Sequence, residues 1–109
     1  MGKHVTFWRM QVKPGQKDAL NALMSDPAIE ADMRARGWEL DITGTSKSNP
    51  DEVLGCVVWD SSERYYANAE SREQNAIYEK MRALLAADPE WYDCDVLAQN
   101  SAWPVASKM

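Results

Sequence analysis

Two segments of this chain, residues 4–12 (HVTFWRMQV) and 52–59 (EVLGCVVW), carry apolar side chains on both of their faces. Both are rich in β-branched and aromatic residues, as strands are. Successive strand side chains point to opposite sides. In the first segment Val5 and Phe7 therefore share one face, and Trp8, Met10 and Val12 share the other. In the second, Val53, Val57 and Trp59 share a face opposite Leu54, Cys56 and Val58. A sheet built on such strands needs cover on both sides.

The rest of the chain offers little cover. Pro14-Gly15 breaks the first strand, and Ala19, Leu20, Leu23 and Met24 then form a helical stripe. Asp26-Pro27 restarts the helix, with Asp as N-cap and Pro at the first helical position, and Gly37 ends it. Residues 38–46 alternate as a second strand, with Trp38, Leu40 and Ile42 on one side and Glu39, Asp41 and Thr43 on the other. Ser48-Asn49-Pro50-Asp51 connects it to the segment at 52–59. Asp60 with Glu63 and Ser71 with Gln74 resemble capping boxes, which predicts a short helix over 61–68 and a longer one over 72–87. Asp88-Pro89 stops the latter, and 91–98 forms a last strand.

The order β-α-β-β-α-β predicts an α+β, ferredoxin-like fold, with helices on one face of a four-stranded antiparallel sheet. Residues 1–98 form this single domain and 99–109 a tail. The helices cover one face only. Leaving Trp8, Met10, Leu54 and Val58 wet would forgo roughly 6–12 kcal/mol at ~1.5–3 kcal/mol per side chain. That matches the whole net stability of a typical domain, about 5–15 kcal/mol. The expected cover is a second copy, giving an obligate homodimer through this face. The alternative is the tail, folding Trp103 and Val105 over the sheet.

Composition closes other routes. Net charge is −5, and the basic residues are scattered, so nucleic acid is not an expected partner. No 18-residue apolar run and no apolar leader is visible, so neither a membrane span nor a signal peptide is expected, and the predicted location is cytoplasmic. Cys56 and Cys94 read as buried, reduced thiols. The glycines make no nucleotide cradle. His4 is the sole histidine, which leaves no triad and no protein metal site, and a structural or solvent-facing role is expected for it.

Several features together resemble one known group. A strand ending V-K-P-G (Val12 to Gly15) opens a helix. A strand ending in Trp59 is followed by Asp60-Ser61-Ser62-Glu63, and a short helix with Tyr65 and Asn68 precedes the long one. Over about residues 4–98 this order is similar to the antibiotic biosynthesis monooxygenases of the dimeric α/β-barrel superfamily. The resemblance implies the fold derived above, with its dimer. It also implies activities that include oxidation of polycyclic phenols by O2 without a cofactor. Haem-degrading relatives carry an axial histidine on the long helix. SREQNAIYEKMRALLAA has none, so no haem and no other cofactor is expected.

The resemblance also implies a site between the sheet and its helices. Trp59 falls at the family's pocket tryptophan, and Val57 and Gly55 share its face, Gly55 leaving room for a ligand. Arg9 falls where haem-degrading relatives have a pocket asparagine, and Phe7 would share its face. Arg9 would then bind a substrate anion or enolate; the plainer alternative is an ion pair with Asp41 or Glu39. Tyr65 falls at a tyrosine that phenol-oxidising relatives use to hold substrate oxygen. Asn68 replaces a histidine common in the family, removing the usual base while keeping a hydrogen-bonding group; it also reads as a turn residue. Tyr66, Tyr78 and Trp91 read as core or rim aromatics.

The expected function is thus a small cofactor-independent oxygenase acting on an aromatic or polyketide-like metabolite. Arg9, Tyr65 and Asn68 would be its catalytic groups, and Phe7, Gly55, Val57 and Trp59 its substrate wall. An isomerase or cyclase on the same scaffold, or a non-catalytic small-molecule-binding dimer, are the alternatives.

Overall fold

The computed structural model describes residues 2–102. Its elements are β1 (His4–Gln11), α1 (Lys17–Met24), α2 (Pro27–Arg36), β2 (Trp38–Thr45), β3 (Glu52–Trp59), α3 (Ser62–Ala69), α4 (Arg72–Arg82) and β4 (Glu90–Asp95). The strands form one antiparallel sheet in the order β2-β3-β1-β4, the ferredoxin-like topology. The two segments that are apolar on both faces are its two central strands. Helix boundaries follow local chemistry. Asp26 caps α2 by accepting from Ala28 N, with Pro27 at the first turn. Gly37, at φ +122°, ends the helix in a conformation that other residues rarely adopt.

Three local expectations change. Ser61 rather than Asp60 caps α3, accepting from Arg64 N at 3.2 Å, while Asp60 pairs with the Arg64 guanidinium at 2.6 Å. Helix α4 stops at Arg82 instead of running to 87. Lys13 N donates to Leu84 O, Ala86 N donates to Gln11 O, and Val12 bridges Leu85, so the end of β1 draws residues 84–86 out of the helix. Strand β4 ends at Asp95 because β1 offers no partner beyond His4; Val96 N makes the last ladder bond, to Lys3 O.

Register decides the faces of the sheet, and here the expectation is corrected. Trp8 lies opposite Gly55, Thr6 opposite Val57, and His4 opposite Trp59. The even-numbered side of β1 therefore shares a face with Val53, Val57 and Trp59, and that is the face the helices cover. Trp8, Met10, Val12 and Val53 form one core cluster with Leu20 of α1, Met81 of α4 and Leu85. Trp8 and Met10 are thus core residues and not interface residues. The other face carries Phe7 and Arg9, with Leu54, Val58 and Cys56 of β3 and Tyr92 and Cys94 of β4. Val58 is already buried within the chain. A bulge at Glu39 turns Trp38 toward the Trp59 side and sends Leu40 and Ile42 to the open face, so the three do not share a side as the plain alternation predicted. Cys56 is half-buried and Cys94 exposed, both free thiols. Trp103 and Val105 lie outside the described residues. Among the described residues, no helix is long and apolar enough to cross a membrane.

Candidate functional site

A cavity of ≈ 480 Å³ lies between the inner sheet face and the helices. All four helices and all four strands contribute to its lining. One wall is aliphatic and sulfur-rich: Leu23 and Met24 of α1, Ile29 and Met33 of α2, and Met81 of α4. Aromatic rings from Trp8, Trp59, Tyr65, Tyr66, Tyr78 and Trp91 supply much of the rest. The volume falls in the range of small-molecule sites, as does the pairing of apolar walls with a few polar groups.

Four of those polar groups, Tyr65, Tyr66, Asn68 and Asp93, lie on α3 and β4, and Asp41, Gln74 and Asn75 supply others from β2 and α4. Tyr65 and Asn68 stand three residues apart on α3, which puts them on one helix face. Asn68 is buried and donates through Nδ2 to Gln74 Oε1 at 3.3 Å, while its backbone carbonyl accepts from Ser71 N. Both expected roles of Asn68, turn residue and cavity-lining polar group, are therefore structurally present. The Tyr65 ring meets Trp59 edge-on at 6.0 Å and stacks on His4 at 4.1 Å. Tyr66 Oη donates to Asp93 Oδ2 at 2.9 Å.

Behind Tyr65 lies a buried polar chain. Thr6 Oγ1 donates to Asp93 Oδ1 at 2.8 Å, and His4 Nε2 lies 2.7 Å from the same hydroxyl. A hydroxyl has one proton, and Thr6 gives it to a carboxylate that can only accept. His4 Nε2 must then carry a hydrogen and donate to Thr6. His4 Nδ1 accepts from Ser62 Oγ at 2.9 Å. The imidazole is about 1% exposed, and burial holds its pKa below 6.5 although Asp93 and Asp95 pull it up. The neutral tautomer so defined is the one the hydrogen bonds require. Loss of solvation raises the Tyr65 phenol, with the charge of Asp93 adding to the rise. The bond to Asp93 is the main cause of a raised Tyr66. Both phenols keep their protons at neutral pH. Across the cavity, loss of solvation and the like charge of Glu30 push the Asp41 carboxyl up.

The residues singled out in the sequence divide. Val57, Trp59, Tyr65 and Asn68 line this one cavity. Gly55 lies on the same sheet face, but its space is already taken: a Cβ there would collide with the Trp8 indole and the Ile42 carbonyl. The glycine accommodates Trp8, so no room for a ligand is left at that point. Phe7 and Arg9 lie on the opposite face and do not line the cavity. Arg9 Nε donates to Glu52, and Nη1 donates to Glu90 Oε2 at 3.1 Å, so its ion pairs are with β3 and β4 and not with Asp41 or Glu39. The Glu52 hydrogen bond is the chief reason its pKa is raised. Asp93, Tyr66 and the Thr6–His4 pair were not found in the sequence. The available signal was the alternation of β4, where Trp91, Asp93 and Asp95 share a side while Tyr92 and Cys94 take the other.

No family model matches the chain, and no curated protein matches it. Solved structures do. A candidate antibiotic biosynthesis monooxygenase from Chloroflexus aurantiacus is 24% identical, with a TM-score of 0.71 over 91% of this chain and 97% of that one. Another from Nitrosomonas europaea is 15% identical, with a TM-score of 0.75 over 93% and 97%. SnoaB, a cofactor-independent oxygenase from Streptomyces nogalater solved as a point mutant, is 13% identical, with a TM-score of 0.73 over 91% and 97%. The chain has the fold of the antibiotic biosynthesis monooxygenases. The match runs nearly the full length of both partners.

Proposed function

We propose that this protein is a small cofactor-independent oxygenase that holds an electron-rich aromatic or polyketide-like metabolite in the cavity between sheet and helices. The observation that carries the reading is the cavity itself, with apolar walls and the hydrogen-bonding groups Tyr65, Tyr66, Asn68 and Asp93 drawn from neighbouring elements. The fold shared with SnoaB supports it. In such chemistry the substrate ring supplies the electrons that reduce O2. The protein's part is to hold the ring, exclude water and stabilise developing charge. Tyr65, a phenol kept protonated by burial, and Asn68 are the groups suited to hold a substrate oxygen. Trp59 and Val57 form the ring-facing wall. Arg9 has no part in this reading.

We further infer that the working form is a homodimer through the open sheet face. The exposed patch there is Phe7, Ile42, Leu54 and Tyr92. It has as many large apolar side chains as the set expected from the sequence, although only Leu54 is common to the exposed members of both. Arg9, Glu52 and Glu90 bring both signs of charge to one end of it, which suits a surface that meets its own copy.

Oxygen uptake by chelator-treated protein, with a series of polycyclic phenols, tests the function. Tyr65→Phe and Asn68→Ala are each expected to lower kcat/KM about tenfold, the size of one hydrogen bond made to the reacting substrate. Turnover without oxygen uptake would replace the oxygenase with an isomerase or cyclase. Unchanged rates in both variants would remove these two residues from the reaction.

A further inference from the structure

The cavity is electrically one-sided. Two carboxylates, Asp41 and Asp93, line it, and among the described residues no lysine, arginine or histidine does. Asp93 is the better placed to meet a ligand. Each of its oxygens accepts one bond from the protein, Oδ1 from Thr6 and Oδ2 from Tyr66. An ionised carboxylate has about four lone-pair sites, so each oxygen keeps capacity to accept one more donor. The Asp93 side chain is about 38% exposed, and it belongs to the cavity lining, so that capacity is accessible. The two bonds, one to each oxygen, orient the carboxylate before any ligand arrives. Thr6 is itself fully buried and fixed by His4, so the acceptor is preorganised.

We propose that Asp93 is the anchoring acceptor of the cavity, and that it selects neutral ring compounds bearing a hydroxyl donor over the corresponding carboxylates. This rests on the cavity being the ligand site, as argued above, and is independent of turnover. A hydroxyl placed on Asp93 makes a charge-assisted hydrogen bond. A ligand carboxylate in the same place meets a like charge at short range, with no cation in the lining to offset it. A bare hydrocarbon gains the apolar walls alone. His4 and Thr6 do not touch the ligand in this arrangement; they are positioning residues that act through Asp93.

Calorimetric titration with 1-naphthol, naphthalene and 1-naphthoate, under argon, tests the proposal with a single ring system. Wild-type protein is expected to bind naphthol at least tenfold tighter than naphthoate, with naphthalene between them. Asp93→Asn keeps an acceptor but removes the charge, so the naphthol-to-naphthoate ratio should fall toward one, chiefly through tighter naphthoate binding. Since His4 is the only histidine, its imidazole nitrogen resonances report on the same chain without any variant. Naphthol should move them, and naphthalene should not. Equal wild-type binding of naphthol and naphthoate would overturn the proposal. So would a ratio unchanged in Asp93→Asn, a His4 signal unmoved in the naphthol complex, or no binding of any of the three. Failure of oxygen uptake with intact discrimination would count against the oxygenase and leave Asp93 in its role.

Discussion

The two faces of β1 carry comparable side chains, and at its middle, at Trp8 and Phe7, they meet opposite fates. On the inner side Trp8 is 5% exposed; on the outer side its neighbour Phe7 is 48% exposed. The inner side also contains His4 and Thr6, two polar residues more deeply buried than the tryptophan. Hydrophobicity alone would not choose this side. It is chosen by what stands opposite: Gly55 clears a place for the indole, and Ser62 and Asp93 complete the hydrogen bonds of His4 and Thr6. A buried polar group is tolerated when its partners are supplied. The outer side has no helix over it.

Trp8 and Phe7 give the largest contrast. Trp8→Ala is expected to cost about 3–5 kcal/mol, the usual size of a buried aromatic truncation. Because the loss is internal to one chain, denaturation should show the same cost at every protein concentration. Phe7→Ala should cost less, and its cost should grow with concentration as the proposed dimer forms, since association stabilises by mass action. Sedimentation of wild type and Phe7→Ala over the same concentrations supplies the second reading. A Trp8→Ala loss that tracks concentration, or a Phe7→Ala loss that does not, would reverse the assignment of inner and outer faces.

Gly55 makes a narrower test of the inner face. A methyl group there meets the backbone carbonyl of Ile42 as well as the Trp8 ring, and a carbonyl in a sheet ladder cannot move aside as a side chain can. Gly55→Ala is expected to destabilise by about 1–3 kcal/mol, the range for an overpacked core. In a Trp8→Phe background the smaller ring should recover part of that, so the double-mutant cycle should show coupling. A neutral Gly55→Ala would mean that the ring does not lie across the glycine.

What was legible follows the same line. The element order, the Asp26-Pro27 start and the Gly37 stop are local signals, and they read correctly because a cap or a turn depends on neighbours in sequence. The pairing of faces between β1 and β3 was not legible, because both strands are apolar on both sides and a period of two then fits either choice. Placing Val5 and Phe7 with Val57 and Trp59 was a one-residue slip, and it carried Phe7 and Arg9 into the site and Trp8 and Met10 out of the core. The slip had a sequence clue: the only large ring that can lie over Gly55 is the one directly across from it. The site was legible where it rests on one helix, as for Tyr65 and Asn68. It was missed where it needs residues 87 positions apart, as for Thr6 and Asp93.

The smallest effect concerns His4 and asks whether the inner polar chain is as dry as its geometry implies. Burial is the main influence on this imidazole and lowers its pKa below the ordinary 6.5, with Asp93 and Asp95 opposing. The unfolded chain then binds a proton at higher pH than the folded one. Stability due to the neutral, buried imidazole is complete above about pH 6.5 and declines as pH falls toward the lowered folded value, because in that window the unfolded state holds more protons. An exposed histidine on the outer face would titrate near 6.5 and give no such slope. A proton titration of the single histidine measures the point directly, and its midpoint should lie below 6.5. The acid-side loss of thermal stability should shrink in His4→Asn, which leaves the carboxylate contributions in place and so isolates this one. A midpoint above 6.5 would mean that Asp93 and Asp95 outweigh burial, and one above 7 would make His4 mostly cationic at neutral pH. The Thr6 proton would still be directed at Asp93, but the polar chain would carry a positive charge beside the cavity, and the preference for neutral hydroxyl ligands over carboxylates would weaken with it.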